Sequence, residues 1–177
     1  MRLFIAIDFD EIKANLSEIQ SKIDTSLAKL NPSSAFHLTL KFLGEIGDDK
    51  VDLIKQKLSS VKFNQFQLTT SSIGVFPYEE FIKVIWLGVK PDEQVKELQN
   101  NIENELKEFN FKKDFDFHPH ITLARVKFVK DKSGLNKNLK DIKIEPKTIT
   151  VDNFRLVKST LTQEGPVYED VEIFKSV

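Results

Sequence analysis

Two stretches of the chain share one pattern, AFHLTLKFLGE at residues 35–45 and HITLARVKF at residues 120–128. In both, apolar side chains alternate with polar ones, which is typical of a β-strand with one buried face. Side chains two residues apart lie on the same face of a strand. His37 is therefore predicted to share a face with Thr39, and His120 with Thr122, while Leu38 and Ile121 between them face the core.

The segments around the two motifs follow one another in the same order, a strand, a helix, the His-x-Thr strand, a second helix and further strand. In the first copy the predicted elements are a strand at 2–8, a helix at 12–30, the motif strand, a helix at 51–61 and a strand at 66–77. In the second copy they are a strand at 83–89, a helix at 95–106, the motif strand, a weak helix at 130–142 and strands at 147–157 and 167–175.

The spacing supports a duplication. The histidine follows the start of its copy by 35 residues in one case, Arg2 to His37, and by 37 in the other, Lys83 to His120. A repeated supersecondary unit predicts two similar lobes. We expect a single two-lobed domain over residues 1–177, with repeats at about 1–77 and 82–177. The fold class is α+β with pseudo-twofold symmetry, in which two antiparallel sheets face a central cleft and the helices cover the outer faces.

Composition narrows the class of protein. The 177 residues are 40% hydrophobic and 30% charged, as expected for a soluble globular protein. The formal net charge of −1 gives no global attraction for nucleic acid, so any RNA contact must be local. The absence of cysteine excludes disulfides and a thiol nucleophile. No apolar run is long enough to span a membrane and no signal peptide is evident, so a cytoplasmic location is expected.

Two facing His-x-Thr pairs would place two imidazoles and two hydroxyls around one point. Imidazole titrates near neutral pH, so one histidine can act as a base while the other acts as an acid. Threonine hydroxyls can donate hydrogen bonds to phosphate oxygens and accept them from other groups. This set of groups suits in-line attack on a phosphodiester without a metal ion.

A single His-x-Thr pair is commonly structural, since threonine simply favours strands. Two copies at matched positions, which use two of only three histidines, favour a functional role. The third, His118, precedes Pro119 and is predicted to lie at the rim of the site. A metal site formed by His37, His118 and His120 is the alternative. Neither cysteine nor a carboxylate triad accompanies these histidines, so no metal or cofactor is predicted.

The sequence around the two motifs resembles that of a known protein family. The resemblance rests on FHLTLKFLGE, FHPHITLARVK, RLFIAID, GVFP with VIWLGV, and the late FRLVKSTLTQEGPVYE. These stretches are similar to the two-histidine phosphoesterase superfamily, in particular to its bacterial and archaeal RNA 2′,3′-cyclic phosphodiesterases, also called 2′-5′ RNA ligases. The similarity covers nearly the whole chain and implies the same bilobal α+β fold.

The resemblance implies metal-independent hydrolysis of RNA 2′,3′-cyclic phosphate ends to 2′-phosphomonoesters, and a reverse reaction that joins RNA ends through a 2′-5′ bond. It also implies that His37 is the proton donor, that His120 is the proton acceptor, and that Thr39 and Thr122 hold the phosphate. The residues alone do not assign acid and base, because the two motifs are nearly symmetric.

Three further residues are predicted to bind substrate: Arg125, Lys41 and Phe42. Arg125 matches a family position expected to contact phosphate or nucleotide, but strict alternation places it on the face opposite the second histidine unless the strand bulges. Lys41 lies by parity on the face of the first histidine. Phe42 and Phe76 are candidates for stacking a base, although core packing is the alternative for both. A basic run that begins at Arg125 is expected to meet the RNA backbone.

The predicted substrates are RNA ends, tRNA fragments and small nucleotides, and the protein is expected to be a monomer without membrane contact. Two alternatives remain open. The same chemistry would serve 2′-5′ linked oligonucleotides or small cyclic phosphates, because loops read the substrate beyond the phosphate. A non-catalytic RNA-end-binding protein is the other possibility, although binding alone requires no pair of proton-transfer groups.

Overall fold

Nine strands and four helices follow one another along the chain, and a computed structural model describes all 177 residues. The strands are β1 (Arg2–Asp8), β2 (Ala28–Pro32), β3 (His37–Glu45), β4 (Phe66–Tyr78), β5 (Phe81–Lys90), β6 (His120–Val129), β7 (Thr148–Val151), β8 (Asn153–Thr162) and β9 (Gly165–Lys175). The helices are α1 (Lys13–Ser21), α2 (Asp48–Ser59), α3 (Glu93–Glu105) and α4 (Lys132–Asp141).

All nine strands belong to one antiparallel sheet in the order β7-β4-β5-β6-β3-β1-β8-β9, with β2 beside β6. The order is symmetric about its centre, where the two motif strands β6 and β3 are neighbours. They pair at a single position, Leu38 with Ile121. The α+β class is confirmed, and the two sheets expected from the sequence are joined into one at the motifs.

Each half of the sheet contains strands from both sequence copies. β4 of the first copy pairs with β5 of the second, and β8 of the second copy pairs with β1 of the first. Each half is therefore built from strands of both copies.

The helices bury apolar stripes in a continuous core of 37 buried residues. The stripe of α3 consists of Val95, Leu98 and Ile102, as its periodicity predicts. α1 packs against β6 and α3 against β3, so each of these helices covers the motif strand of the other copy. None of the four helices is both long and apolar enough to cross a membrane.

Three predicted boundaries change. The helix expected at 12–30 ends at Ser21, because the backbone N–H and hydroxyl of Ser26 donate to Asp24 Oδ1 and form a turn. Leu30 then lies in β2, where pairing with β6 satisfies the backbone. The weak helix at 130–142 forms as α4, with Asp131 accepting from the Gly134 N–H at its start. The strand expected at 147–157 divides into β7 and β8, which lie in different halves of the sheet.

Candidate active site

The two motifs bring their polar side chains together at the centre of the sheet. Leu38 and Ile121 are fully buried, whereas His37, Thr39, His120 and Thr122 are half-buried. The four polar residues therefore lie on the face away from the core, here called the site face. His120 is near enough for its charge to lower the pKa of His37.

Both motif strands contain a β-bulge directly after the threonine. Across β1 and β3, Ala6 pairs with Thr39 but Ile5 pairs with Lys41, so Leu40 is the extra residue. Across β5 and β6, Trp86 pairs with Thr122 but Ile85 pairs with Ala124, so Leu123 is extra. A bulge interrupts alternation, and both residues that follow the threonine are buried in each strand.

The bulge returns Arg125 to the site face. Strict alternation had placed it on the opposite face, but Leu123 and Ala124 are both buried and Arg125 is exposed. Its positive charge lowers the pKa of His37, His120 and Tyr168. Its contact with substrate stays a prediction.

The same kind of bulge in β3 makes the placement predicted for Lys41 wrong. Lys41 is only 6% exposed and lies on the core side of β3. Its Nζ donates to Glu103 Oε1 at 2.7 Å and to the Lys112 carbonyl at 3.1 Å, and Gln99 also donates to Glu103. Alternation failed here because the extra residue Leu40 shifts the parity at Lys41. Lys41 is a buried structural cation and not a ligand for phosphate.

Phe42 occupies in the first motif the position that Arg125 occupies in the second, five residues after the histidine. It is 64% exposed, and its ring centroid is 6.1 Å from that of Phe4 on the site face. The pseudo-symmetric positions thus present a cation in one half of the sheet and an exposed aromatic ring in the other.

His37 lies between two aromatic rings. Its ring centroid is 4.9 Å from that of Phe4 and 5.2 Å from that of Tyr168, which meets it edge-on. Burial, and then the charge of Arg125, lower the pKa of His37 to about 4. His37 is therefore neutral at pH 7 in the free protein. Tyr168 was not among the site residues predicted from the sequence, where its only signal was the stretch GPVYE at residues 165–169.

His120 is oriented by the backbone of His118. Its Nδ1 lies 2.7 Å from the His118 carbonyl oxygen, which can only accept, so Nδ1 carries the proton. The lone pair of the neutral ring is then on Nε2. Burial lowers the pKa of His120, the carbonyl raises it, and the charges of His118 and Arg125 lower it further.

The His118 side chain is exposed and lies against an aromatic cluster beside His120. Its ring centroid is 4.8 Å from that of Trp86, and Phe76 lies 4.9 Å from His120. The Trp86 ring occupies space that a side chain at Gly74 would fill, since a Cβ there would meet it. Phe76 is thus in the site, whereas Trp86 was not predicted. The sequence alone gave no signal for Trp86, because Gly74 meets its ring only through the pairing of β4 with β5.

An ion-pair cluster beside His37 was also missed. Asp8 is the cross-strand partner of His37, and Arg155 Nη1 lies 3.3 Å from Asp8 and 2.9 Å from Asp170. Burial raises the pKa of Asp8. Because two carboxylates surround one guanidinium, Arg155 is not a free cation for a phosphate.

The three histidines do not form a metal-binding arrangement. No group of three or more histidine, aspartate or glutamate side chains is placed to hold a metal ion. His118 instead contacts Trp86, and His120 uses its Nδ1 on a carbonyl.

Comparison with known proteins is consistent with this arrangement. The model of the LigT-like phosphoesterase family matches the chain twice, at residues 7–86 and 87–168, which fits a duplicated unit. A relative from Archaeoglobus fulgidus named RNA 2′,3′-cyclic phosphodiesterase is 35% identical over 99% of this chain and 100% of its own length. A relative of the same name from Thermotoga maritima is 37% identical, over 96% of this chain and 92% of its own.

Solved structures share the fold over nearly the whole length. The crystal structure of a Thermus thermophilus protein has a TM-score of 0.78 at 28% identity and covers 99% of this chain and 97% of its own. Escherichia coli LigT complexed with 3′-AMP has a TM-score of 0.77 at 25% identity, with the same coverage of both chains.

Proposed function

The chain belongs to the LigT-like phosphoesterase family, and from that premise we propose that it hydrolyses 2′,3′-cyclic phosphate ends of RNA to 2′-phosphomonoesters. One observation carries the proposal, namely the two His-x-Thr pairs side by side on one face of the sheet. The name carried by the relatives supports it.

The proposed reaction is an in-line displacement at phosphorus. Nε2 of His120 accepts a proton from water, the water oxygen forms a bond to phosphorus, and the bond from phosphorus to the 3′ oxygen breaks. His37 donates a proton to that departing oxygen, and the phosphate remains on the 2′ oxygen. Thr39 and Thr122 donate hydrogen bonds to the non-bridging oxygens, while Arg125 offsets their negative charge.

The environments of the histidines support this division of roles. The carbonyl of His118 leaves Nε2 of His120 free to accept a proton. His37 is neutral in the free protein, so it must gain its proton when substrate binds. A phosphodiester anion beside His37 favours the charged imidazolium and supplies the reason for that gain.

The proposal extends to substrate contacts and to the reverse reaction. Phe42 stacks a nucleobase on the first half while Arg125 holds the phosphate on the second. The same groups acting in reverse would join RNA ends through a 2′-5′ bond, because acid and base exchange roles in the two directions. The expected setting is a monomeric cytoplasmic enzyme acting on RNA ends and small nucleotides.

The experiment compares alanine variants of the three histidines on a 2′,3′-cyclic nucleotide. His37→Ala and His120→Ala are each expected to lower kcat by about 10²–10⁴-fold, the range for positioned acid–base groups. His118→Ala is the matched control, because it keeps the carbonyl that orients His120. A nitrophenyl phosphodiester, whose leaving group needs no proton, should restore the His37 variant but not the His120 variant. Rescue of the His120 variant instead would exchange the two roles, and full activity in both would refute the mechanism.

Chelation tests the metal-independent chemistry directly. Two imidazoles supply both proton transfers, so we expect turnover to persist in excess EDTA. The measurement is the initial rate on a cyclic nucleotide before and after dialysis against chelator. A loss of activity that zinc or manganese restores would contradict the two-histidine mechanism.

A further inference from the structure

The site face continues beyond Arg125 to the tip of the hairpin formed by β4 and β5. Arg125 is the cross-strand partner of Val84, and Val84 is the partner of Phe76. Further along the same hairpin, Tyr78 pairs with Phe81. The paired residues that start at Arg125 therefore lead along the hairpin to Tyr78 and Phe81 at its tip.

The side chains at the tip lie on the same face as the site. Ile82 and Ile85 are both buried in the core, and a register shift places the two residues between them, Lys83 and Val84, on the outer side. Lys83 Nζ lies 4.5 Å from the centroid of the Phe81 ring, so Phe81 is on that side as well. Phe81 and Lys83 thus extend the face that carries Arg125.

The tip offers exposed rings in a fixed position. Tyr78 is 57% exposed and Phe81 51%, and their ring centroids are 6.4 Å apart. Glu79 ties the turn to α4, because its carbonyl accepts from Asn136 Nδ2 at 3.1 Å and its carboxylate pairs with Lys140 at 3.3 Å.

The charged side chains at the tip of the hairpin leave one lysine without an ion-pair partner. Lys83 pairs with no carboxylate, whereas the Glu79 carboxylate is already neutralised by Lys140. Glu80 remains as the one free acid of the turn. The surface therefore combines two exposed aromatic rings with a free cation, next to a site that handles phosphate.

We propose that Tyr78, Phe81 and Lys83 bind the RNA strand on the 5′ side of the terminal cyclic phosphate. The inference rests on the proposed function, since a 2′,3′-cyclic phosphate is a 3′ end and the chain can continue only in the 5′ direction. Exposed aromatic rings stack bases of any sequence, and a lysine meets the backbone phosphate. Phe81 precedes Val84, the cross-strand partner of Arg125, by three residues, which is about 10 Å along the strand. Single-stranded RNA reaches it, whereas a mononucleotide held at the histidines does not.

The test compares kcat/KM on a 2′,3′-cyclic mononucleotide with kcat/KM on a pentanucleotide that ends in the same group. The double variant Tyr78→Ser/Phe81→Ser should lower kcat/KM on the pentanucleotide by about 10- to 100-fold, as expected for one stacked base. Its kcat/KM on the mononucleotide should be unchanged, which also shows that it folds. Lys83→Gln should reduce the slope of log affinity against log salt by about 0.7, the value for one phosphate of a single strand.

Phe115→Ser provides a chemically matched control. Phe115 is 88% exposed and has Lys113 Nζ 5.7 Å from its ring, but it precedes β6 and so lies at the opposite end of that strand from the hairpin tip. This variant should keep the preference for the longer substrate. Loss of that preference in Phe115→Ser but not in the double variant would show that the RNA leaves by the other end and would overturn the proposal.

Two further results would also overturn it, namely a wild-type protein with no preference for the pentanucleotide, or a double variant that keeps the preference. Failure of the wild type to turn over either substrate would refute the proposed function alone. In that case the affinity for a fluorescent pentanucleotide with a 3′-phosphate, measured by anisotropy, decides the inference. Weaker binding by the double variant supports the surface, and equal binding refutes it.

Discussion

At the scale of single residues, Arg125 links the chemistry of the two histidines. Its charge lowers the pKa of His37 and of His120, and burial is the larger cause in each case. Both imidazoles are thereby kept neutral before substrate arrives. A bound phosphate would neutralise the guanidinium and favour protonation of the acid, so His37 takes up the proton needed for catalysis from solvent when substrate binds.

Removal of this charge should raise the pKa of both histidines. We expect Arg125→Gln to raise them while leaving His37 below 6.5, because burial remains. The measurement is an NMR titration of the imidazole C–H signals, which is simple in a chain with three histidines. Lys127→Gln, a nearby basic residue on the same strand, is the control. Unchanged values in Arg125→Gln would mean that the guanidinium points away from the site.

At the scale of elements, the two bulges decide which side chains serve the site. Alternation and strand propensity correctly predict both motif strands and the shared face of His37 with Thr39 and of His120 with Thr122, since those signals are local. The bulges depend on the register with β1 and β5, which is a non-local property. Sequence patterns therefore misplaced Lys41 and left the face of Arg125 open.

The buried pair created by the first bulge couples β3 to α3. Lys41→Met should lower the free energy of unfolding by about 3–5 kcal/mol, because it leaves the Glu103 carboxylate buried with Gln99 as its only donor. The double variant Lys41→Met/Glu103→Met should recover most of that loss, since no buried charge remains. Denaturant unfolding measures both.

The exposed pair of Lys137 and Asp141 is a suitable comparison, with nearly the same separation of 2.7 Å. Lys137→Met should change the free energy of unfolding far less than Lys41→Met does, because water screens the exposed pair. A double variant at Lys41 and Glu103 that is less stable than Lys41→Met would show that the pair stabilises the protein beyond satisfying its own charges.

At the scale of the whole molecule, strands of each sequence copy pair with strands of the other, and the two motif strands lie at the centre of the resulting sheet. The duplication was visible in the sequence as a repeated order of elements. The pairing of β8 with β1 was not, because local patterns do not specify which distant strands are neighbours. The predicted central cleft stays a prediction, while the continuous sheet explains how two distant motifs become adjacent.

Because the halves share one core, the state of the site should affect the stability of the whole chain. His37 has a pKa of about 4 when folded and about 6.5 when unfolded. Between these values the unfolded state binds more protons, so the free energy of unfolding falls as the pH falls. His37 leaves the free energy of unfolding unchanged above pH 6.5 and lowers it progressively towards pH 4. At about 1.36 kcal/mol per pKa unit, the loss is about 3 kcal/mol.

His37→Asn removes this titration and should flatten the acid side of the stability profile. The quantity that isolates His37 is the difference in the free energy of unfolding between wild type and variant, measured by urea denaturation from pH 7 to pH 4. His120, whose pKa is also lowered, and Asp8, whose pKa is raised, titrate in both proteins, so their contributions largely cancel in that difference. His118→Asn controls for the loss of a histidine as such. A difference that stays constant over this pH range would show that His37 is accessible to water in the folded protein, and the argument that His37 gains its proton only when substrate binds would then fail.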